Sequence, residues 1–273
     1  MNFEAGAAYA ARYGLQALLA VRDGEAAFEH YAPGFDAETP HALYSGTKSF
    51  WGTAALAARD DGLLALDETV GATFPAWRGG MRGGVTLEML LRLTSGIGFG
   101  GLGNAVPTYA KALDVEPKNE PGSRFTYGGI PLQVFGAVLA EKLAARGATP
   151  HDYLRERVLE PSGVTVSSWR VLRDGTKPLP TGAFLTAAAW ARYGAAMARR
   201  PRGELVRGSA ANPRYGLGWW LSPVAAEPDL FYASGAGGQG LYVFPARGVA
   251  VVKFAKSASS FAHATFVRAL LDG

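Results

Sequence analysis

Ser45 and Lys48, three places apart, offer the plainest chemistry in this sequence. If a helix starts here, the i,i+3 relation stacks the serine hydroxyl and the lysine amine on one face. A serine hydroxyl is almost wholly un-ionised at neutral pH and needs a base to become a nucleophile. A desolvated lysine is such a base, because burial disfavours its charged form and lowers its pKa. The pair predicts acyl transfer through a covalent serine intermediate. Chance puts a lysine three places after a serine in many chains, so the weight rests on what surrounds it.

Two other stretches supply that context. In Pro121-Gly122-Ser123-Arg124-Phe125-Thr126-Tyr127-Gly128-Gly129, a tyrosine placed beside lysine and serine can relay a proton, since a nearby cation favours its phenolate. Without that pair, Tyr127 reads as an ordinary half-buried aromatic. Gly128-Gly129 leaves the backbone free to turn sharply and approach a ligand. Tyr232-Ala233-Ser234-Gly235-Ala236-Gly237-Gly238-Gln239-Gly240 precedes an apolar strand. Small residues at a strand edge let a substrate lie alongside and leave N–H groups free. One such N–H, joined with that of the nucleophile, makes an oxyanion hole; taken alone, the stretch is a glycine-rich turn.

The elements that must position these residues are legible in outline. Leu15 to Arg22, the turn Asp23-Gly24 and Ala26 to Tyr31 predict an opening hairpin. Thr47 to about Arg59 predicts a helix whose first turn carries Ser45 and Lys48. Further helices are predicted over Thr86 to Leu93, Pro131 to Arg146, His151 to Leu159 and Ala187 to Arg199. Short β-prone runs follow at Gly218 to Leu221, Leu230 to Ala233, Gly240 to Phe244 and Val249 to Phe254, and Ala258 to Leu271 closes the chain as a helix. Strands at both ends with helices between them predict an α+β domain. Its antiparallel sheet is assembled from both termini, with the terminal helix packed on it. The sheet lobe covers about 1–44 and 215–273, and an inserted, mostly helical lobe about 45–214. The irregular stretches 98–122 and 172–183 are expected to line a site. Of Trp219 and Trp220, one belongs to the core and the other to the pocket; Trp219 is the expected pocket residue.

Composition excludes other classes. With 273 residues, 48% apolar and 18% charged, the chain reads as globular and long enough for a large core. No cysteine is present, which removes thiol catalysis, disulfides and zinc–thiolate sites. Net charge is only +4, and the one basic cluster, Arg199, Arg200, Arg202 and Arg207, lacks interleaved aromatics, so no nucleic-acid partner is expected. His30, His41, His151 and His263 stand alone, without metal-ligand spacing. Gly96-Ile97-Gly98-Phe99-Gly100-Gly101 has no preceding strand, so it is not a dinucleotide loop. No Gly-x-Ser-x-Gly elbow exists. No apolar run is long enough to span a bilayer, and the N-terminus lacks a secretory pattern. The expected location is the cytoplasm, or the periplasm or exterior if a leader has been removed.

In this order, the three motifs resemble those of the serine β-lactamase and penicillin-binding-protein superfamily. The nearest branch is that of class C β-lactamase-like esterases and 6-aminohexanoate-dimer hydrolases. Leu63 to Val70, Met89 to Ile97, Tyr215 to Trp220 and Ala236 to Pro245 resemble further family segments, so the likeness spans about 15–255. The resemblance implies a β-lactamase-like fold with Ser45 acylated, Lys48 as base and Tyr127 as proton-transfer partner. It also implies oxyanion donors at the backbone N–H groups of Ser45 and Ala236, and no metal or organic cofactor. Gly129, Ser234 and Gly235 would contact substrate. Two departures stand out: Gly129 replaces the asparagine of Tyr-x-Asn, and Ala233-Ser234-Gly235 lacks the usual leading Lys or His. Both argue against β-lactam or D-Ala-D-Ala turnover. The expected function is therefore hydrolysis of small carboxylic esters. The alternatives are an amidase or peptidase acting on short amides such as aminohexanoate oligomers or D-amino-acid peptides, a weak β-lactamase, or a non-catalytic penicillin-recognising-type sensor.

Overall fold

The computed structural model describes residues 1–201, 203–257 and 261–272. Its α-helices are α1 (Phe3–Ala11), α2 (Ser49–Asp60), α3 (Val70–Thr73), α4 (Leu87–Leu91), α5 (Tyr109–Leu113), α6 (Ile130–Leu143), α7 (Pro150–Leu154), α8 (Ala187–Arg199) and α9 (His263–Leu271). The strands are β1 (Leu15–Arg22), β2 (Glu25–Tyr31), β3 (His41–Ala42), β4 (Ser168–Trp169), β5 (Ala183–Leu185), β6 (Trp220–Leu221), β7 (Phe231–Gly235), β8 (Gln239–Phe244) and β9 (Val249–Ala255). A six-stranded sheet runs β2-β1-β9-β8-β7-β6, antiparallel throughout. It joins the two ends of the chain as the sequence predicts, with Leu19 of β1 opposite Val252 of β9.

The central strands are buried on both faces, and strand alternation says what covers each. Ala17 and Leu19 of β1 and Val252 and Phe254 of β9 face a core that includes α2 and α8. Leu18 and Ala20, with Val249 and Val251, face α1 and α9 through Ala7, Ala10, Phe266 and Leu270. A strand covered on both sides has no polar face to show, hence the nearly unbroken apolar runs of β1 and β9. At the edge, β2 is largely exposed and carries charge, which discourages pairing with another chain.

Several predicted elements change in detail. α1 and the small three-stranded sheet β3-β5-β4 are additions to the sequence reading; α1 is short and alanine-rich, and the strands of the small sheet hold two or three residues each. Thr86 caps α4 as expected, accepting from the Met89 N–H, but the helix ends at Leu91. α6 gives way to a 3-10 turn at Ala144–Arg146 closed by Gly147 at φ +63°. α7 passes into a π-turn over Arg155–Leu159. The closing helix begins at His263; Ala258, Ser259 and Ser260 of the predicted span lie outside the described residues, as does Arg202 of the basic cluster. Among the described residues no helix is long and apolar enough to cross a membrane.

Candidate active site

After β3 the chain enters a 3-10 turn, Tyr44–Lys48, that runs directly into α2. Ser45 and Lys48 are therefore not in the first turn of α2 but on this tighter turn ahead of it. With three residues per turn, positions i and i+3 eclipse, which aligns the two side chains more closely than α-helical winding does. Tyr44 enters the turn at φ +47°, a left-handed conformation that costs a non-glycine residue about 1–2 kcal/mol. That strain sits on the residue bending the chain into the Ser45 turn.

Lys48 Nζ lies 2.9 Å from Ser45 Oγ and 3.2 Å from the Pro180 carbonyl oxygen. The residue is only 1% exposed. Burial pulls the amine from 10.5 down to about 7, and no carboxylate among the described residues counters that pull. Near neutrality much of the amine is thus uncharged. One N–H then donates to Pro180, and the nitrogen lone pair is left for the Ser45 proton.

Tyr127 forms the third side. Lys48 Nζ sits 4.9 Å from its ring centroid, and the segment is pinned by Thr126 N–H to Leu93 O and Gly129 N–H to Gly100 O, both 2.9 Å. Burial raises the phenol's pKa, and hydrogen bonding with the Ser45 hydroxyl offsets part of that rise. This reverses the expectation of a phenolate favoured by a neighbouring cation. The amine is itself largely discharged by burial, so desolvation decides, and the phenol keeps its proton at neutral pH.

The glycine-rich stretch reaches the same place along β7. A Cβ on Gly235 would lie 2.1 Å from the Leu43 carbonyl oxygen, so a side chain there would prevent strand and turn from meeting. The next N–H, that of Ala236, has no hydrogen-bond partner among the described residues. Ser45 is the second residue of its turn, so its N–H lies ahead of the first bond, Gly46 N–H to Leu43 O at 2.9 Å. Both residues line one cavity of about 540 Å³, together with Tyr127, Ser234 and Gly235. Both irregular stretches contribute, through Gly101 to Gly103 and through Pro180 and Thr181.

Two expected contacts are displaced. Trp219 is fully buried, stacked 6.0 Å from Tyr193 and edge-on to Phe231 at 5.0 Å, while Trp220 lines the cavity. Neighbouring residues entering a strand face opposite ways, so one had to be core, and only packing decides which. Gly129 does not line the cavity either. It caps α6 beneath Gly101, whose carbonyl oxygen would lie 1.9 Å from a Cβ at 129. That glycine permits packing of the loop, and Gly101 meets the cavity in its stead.

Like Tyr44, His263 lines the cavity although the sequence did not nominate it. It has no ligand-like spacing to any other histidine, and its neighbours come from β7 and β8; no local signal marks it. Among the described residues that line the cavity, none is Asp, Glu, Lys or Arg. The walls are instead rich in aromatic rings, with Trp220 stacked 5.8 Å from Tyr127.

A serine beside a buried, near-neutral lysine, on an α+β fold whose sheet joins both chain ends, defines the β-lactamase-like class. Comparison with family models agrees: the Beta-lactamase model matches residues 3–271, and the chain belongs to that family. Solved structures resemble it over nearly its whole length. One is EstCE1, a hydrolase with promiscuous acyltransferase activity (18% identity, 99% of this chain and 97% of that one, TM-score 0.76). A second is a Bacillus anthracis protein described as a 6-aminohexanoate-dimer hydrolase (18% identity, 96% and 79%, TM-score 0.77). A third is a penicillin-binding protein from Bacillus halodurans (18% identity, 98% of each chain, TM-score 0.73). At such identities the likeness establishes the fold. A comparison with curated proteins returns no match.

Proposed function

We propose that this protein is a serine hydrolase that cleaves small, uncharged carboxylic esters through an acyl–Ser45 intermediate. The observation that carries the reading is the 2.9 Å contact between Ser45 Oγ and a lysine amine that is 1% exposed. Lys48 takes the Ser45 proton as the oxygen attacks the carbonyl carbon. The N–H groups of Ser45 and Ala236 hold the oxyanion, each worth about 3 kcal/mol in comparable sites. On collapse the Tyr127 hydroxyl gives its proton to the departing alkoxide, and the Lys48 ammonium reprotonates the phenolate. Water then attacks the acyl-enzyme along the reverse proton path, which returns a proton to Ser45 Oγ. A cavity that no Asp, Glu, Lys or Arg lines among the described residues favours neutral acyl and alcohol groups, because a buried unpaired charge is costly.

Burst kinetics with p-nitrophenyl butyrate, and an intact-mass adduct of a fluorophosphonate on Ser45, test this directly. Ordinary turnover by Ser45→Ala would refute it. The resemblance to a protein described as a 6-aminohexanoate-dimer hydrolase favours a second reading, short linear amides. Matched p-nitroanilides separate the two, since an esterase leaves them essentially intact. Nitrocefin turnover would instead revive the β-lactamase alternative, and stoichiometric labelling without turnover the sensor.

A further inference from the structure

The alternation of β7 turns Tyr232 toward the sheet face that α9 covers, Ser234 shares that side of the strand, and His263 opens α9 there. His263 Nε2 lies 3.2 Å from Ser234 Oγ, and its Nδ1 lies 2.7 Å from Tyr242 Oη. Tyr242 is fully buried, and burial holds its phenol far above the ordinary range, so it keeps its proton. Among the described residues the ring nitrogen is the acceptor within reach of that phenol's proton, so the phenol donates to it. Nδ1 is then the acceptor, the ring proton belongs on Nε2, and Nε2–H donates to Ser234 Oγ. With its oxygen already accepting, the Ser234 hydroxyl has its own proton left to give, and it lines the cavity beside Ser45. The imidazole is clamped by Tyr232 at 4.7 Å and, edge-on, by Phe261 at 5.5 Å. Burial, and after it the Lys253 amine, pushes His263 down to about 4, so the ring carries no charge near neutrality.

We propose that Tyr242 and His263 are positioning residues that make Ser234 a one-directional hydrogen-bond donor, selecting acyl groups with an uncharged acceptor oxygen and rejecting those with a carboxylate. The inference rests on the ester-hydrolase reading and specifies its substrate. A cation leading the third motif would attract a carboxylate; a serine backed by a neutral imidazole leaves that charge unpaired. A ketone or ether oxygen satisfies the donor without that penalty.

Three p-nitrophenyl esters of similar size provide the test: the pentanoate, the 4-oxopentanoate and the hemisuccinate. Wild type should prefer the 4-oxopentanoate over the pentanoate in kcat/KM by about three- to tenfold, the worth of one neutral hydrogen bond, with the hemisuccinate slowest. Ser234→Ala and Tyr242→Phe should abolish that preference, chiefly through KM. Preference for the hemisuccinate, or a 4-oxopentanoate advantage that survives Ser234→Ala, overturns the proposal. Long-range ¹H–¹⁵N spectra of His263 at neutral pH should show the Nε2–H tautomer in wild type; an Nδ1–H or doubly protonated ring overturns it even if the variants fail to fold. This readout needs no turnover. Failure of the Ser45 reading, seen as ordinary activity in Ser45→Ala, is therefore distinguishable from failure of the relay.

Discussion

Lys48 matters because its amine is buried where no carboxylate among the described residues neutralises it. The fold lowers its pKa to about 7, and in doing so supplies a base within reach of Ser45. Activity should therefore rise with pH along a single limb with its midpoint near 7, as the amine loses its proton. A pH profile of kcat/KM for p-nitrophenyl butyrate checks this; a rate that is flat between pH 6 and 8 would remove Lys48 as the base. Lys48→Met should reduce kcat/KM by about 10²–10⁴, the usual range for a lost general base. Tyr127→Phe should slow turnover by about 10²-fold or more while the fluorophosphonate still labels Ser45. In the proposed mechanism its phenol moves protons, and Ser45 Oγ is the attacking atom.

At the scale of elements, the site depends on three backbone segments meeting closely: the Tyr44–Lys48 turn, the edge of β7 and the loop under Gly129. Gly235→Ala would force a Cβ against the Leu43 carbonyl oxygen, a backbone atom that cannot swing aside. We expect this variant to lose most activity and about 1–3 kcal/mol of stability, as overpacked sites do, read by urea denaturation beside kinetics. The two tryptophans provide a contrast within β6 and its approach. Trp219→Ala should destabilise by about 3–5 kcal/mol through the cavity it leaves. Trp220→Ala should cost clearly less in the same denaturation and appear mainly as a raised KM, because Trp220 faces the cavity. Equal losses of stability in the two variants would contradict the assignment of core and pocket.

For the whole molecule, one hydrophobic core runs from β1 through α2 and α6 to β8 and β9, which supports unfolding as a single unit. We propose one cooperative thermal transition for the chain, with no separate melting of sheet and helical portions. Two buried lysines give that transition a pH dependence. Lys48 and Lys253 both fall from 10.5 to about 7 through burial. Between those values the unfolded chain binds more protons than the folded one, so stability rises with pH. The melting temperature should climb from pH 7 to 9, by at most ~1.4 kcal/mol of stability per pH unit for each lysine. Above about pH 10 the buried tyrosines, whose pKa values are raised, reverse the trend. Lys48→Met should flatten part of the climb.

Spacing by itself marked the serine–lysine pair, and the family resemblance then singled out Tyr127 and the glycine-rich strand edge. Apolar runs and turn residues, which are local patterns, also marked the strands at both chain ends, and the need to bury them predicted the shared sheet. α8 was legible to its exact bounds, since its alanine-rich run starts at a Thr186 cap. Tertiary structure alone decided which of two adjacent tryptophans meets the cavity and that Gly129 supports a loop. It also set the direction of the Tyr127 shift, since burial raises the phenol's pKa where a neighbouring cation would have favoured the phenolate. It alone brought His263 to Ser234, from 29 residues away. Facing, burial and long-range juxtaposition depend on how elements pack, and a pKa depends on the solvent that packing excludes.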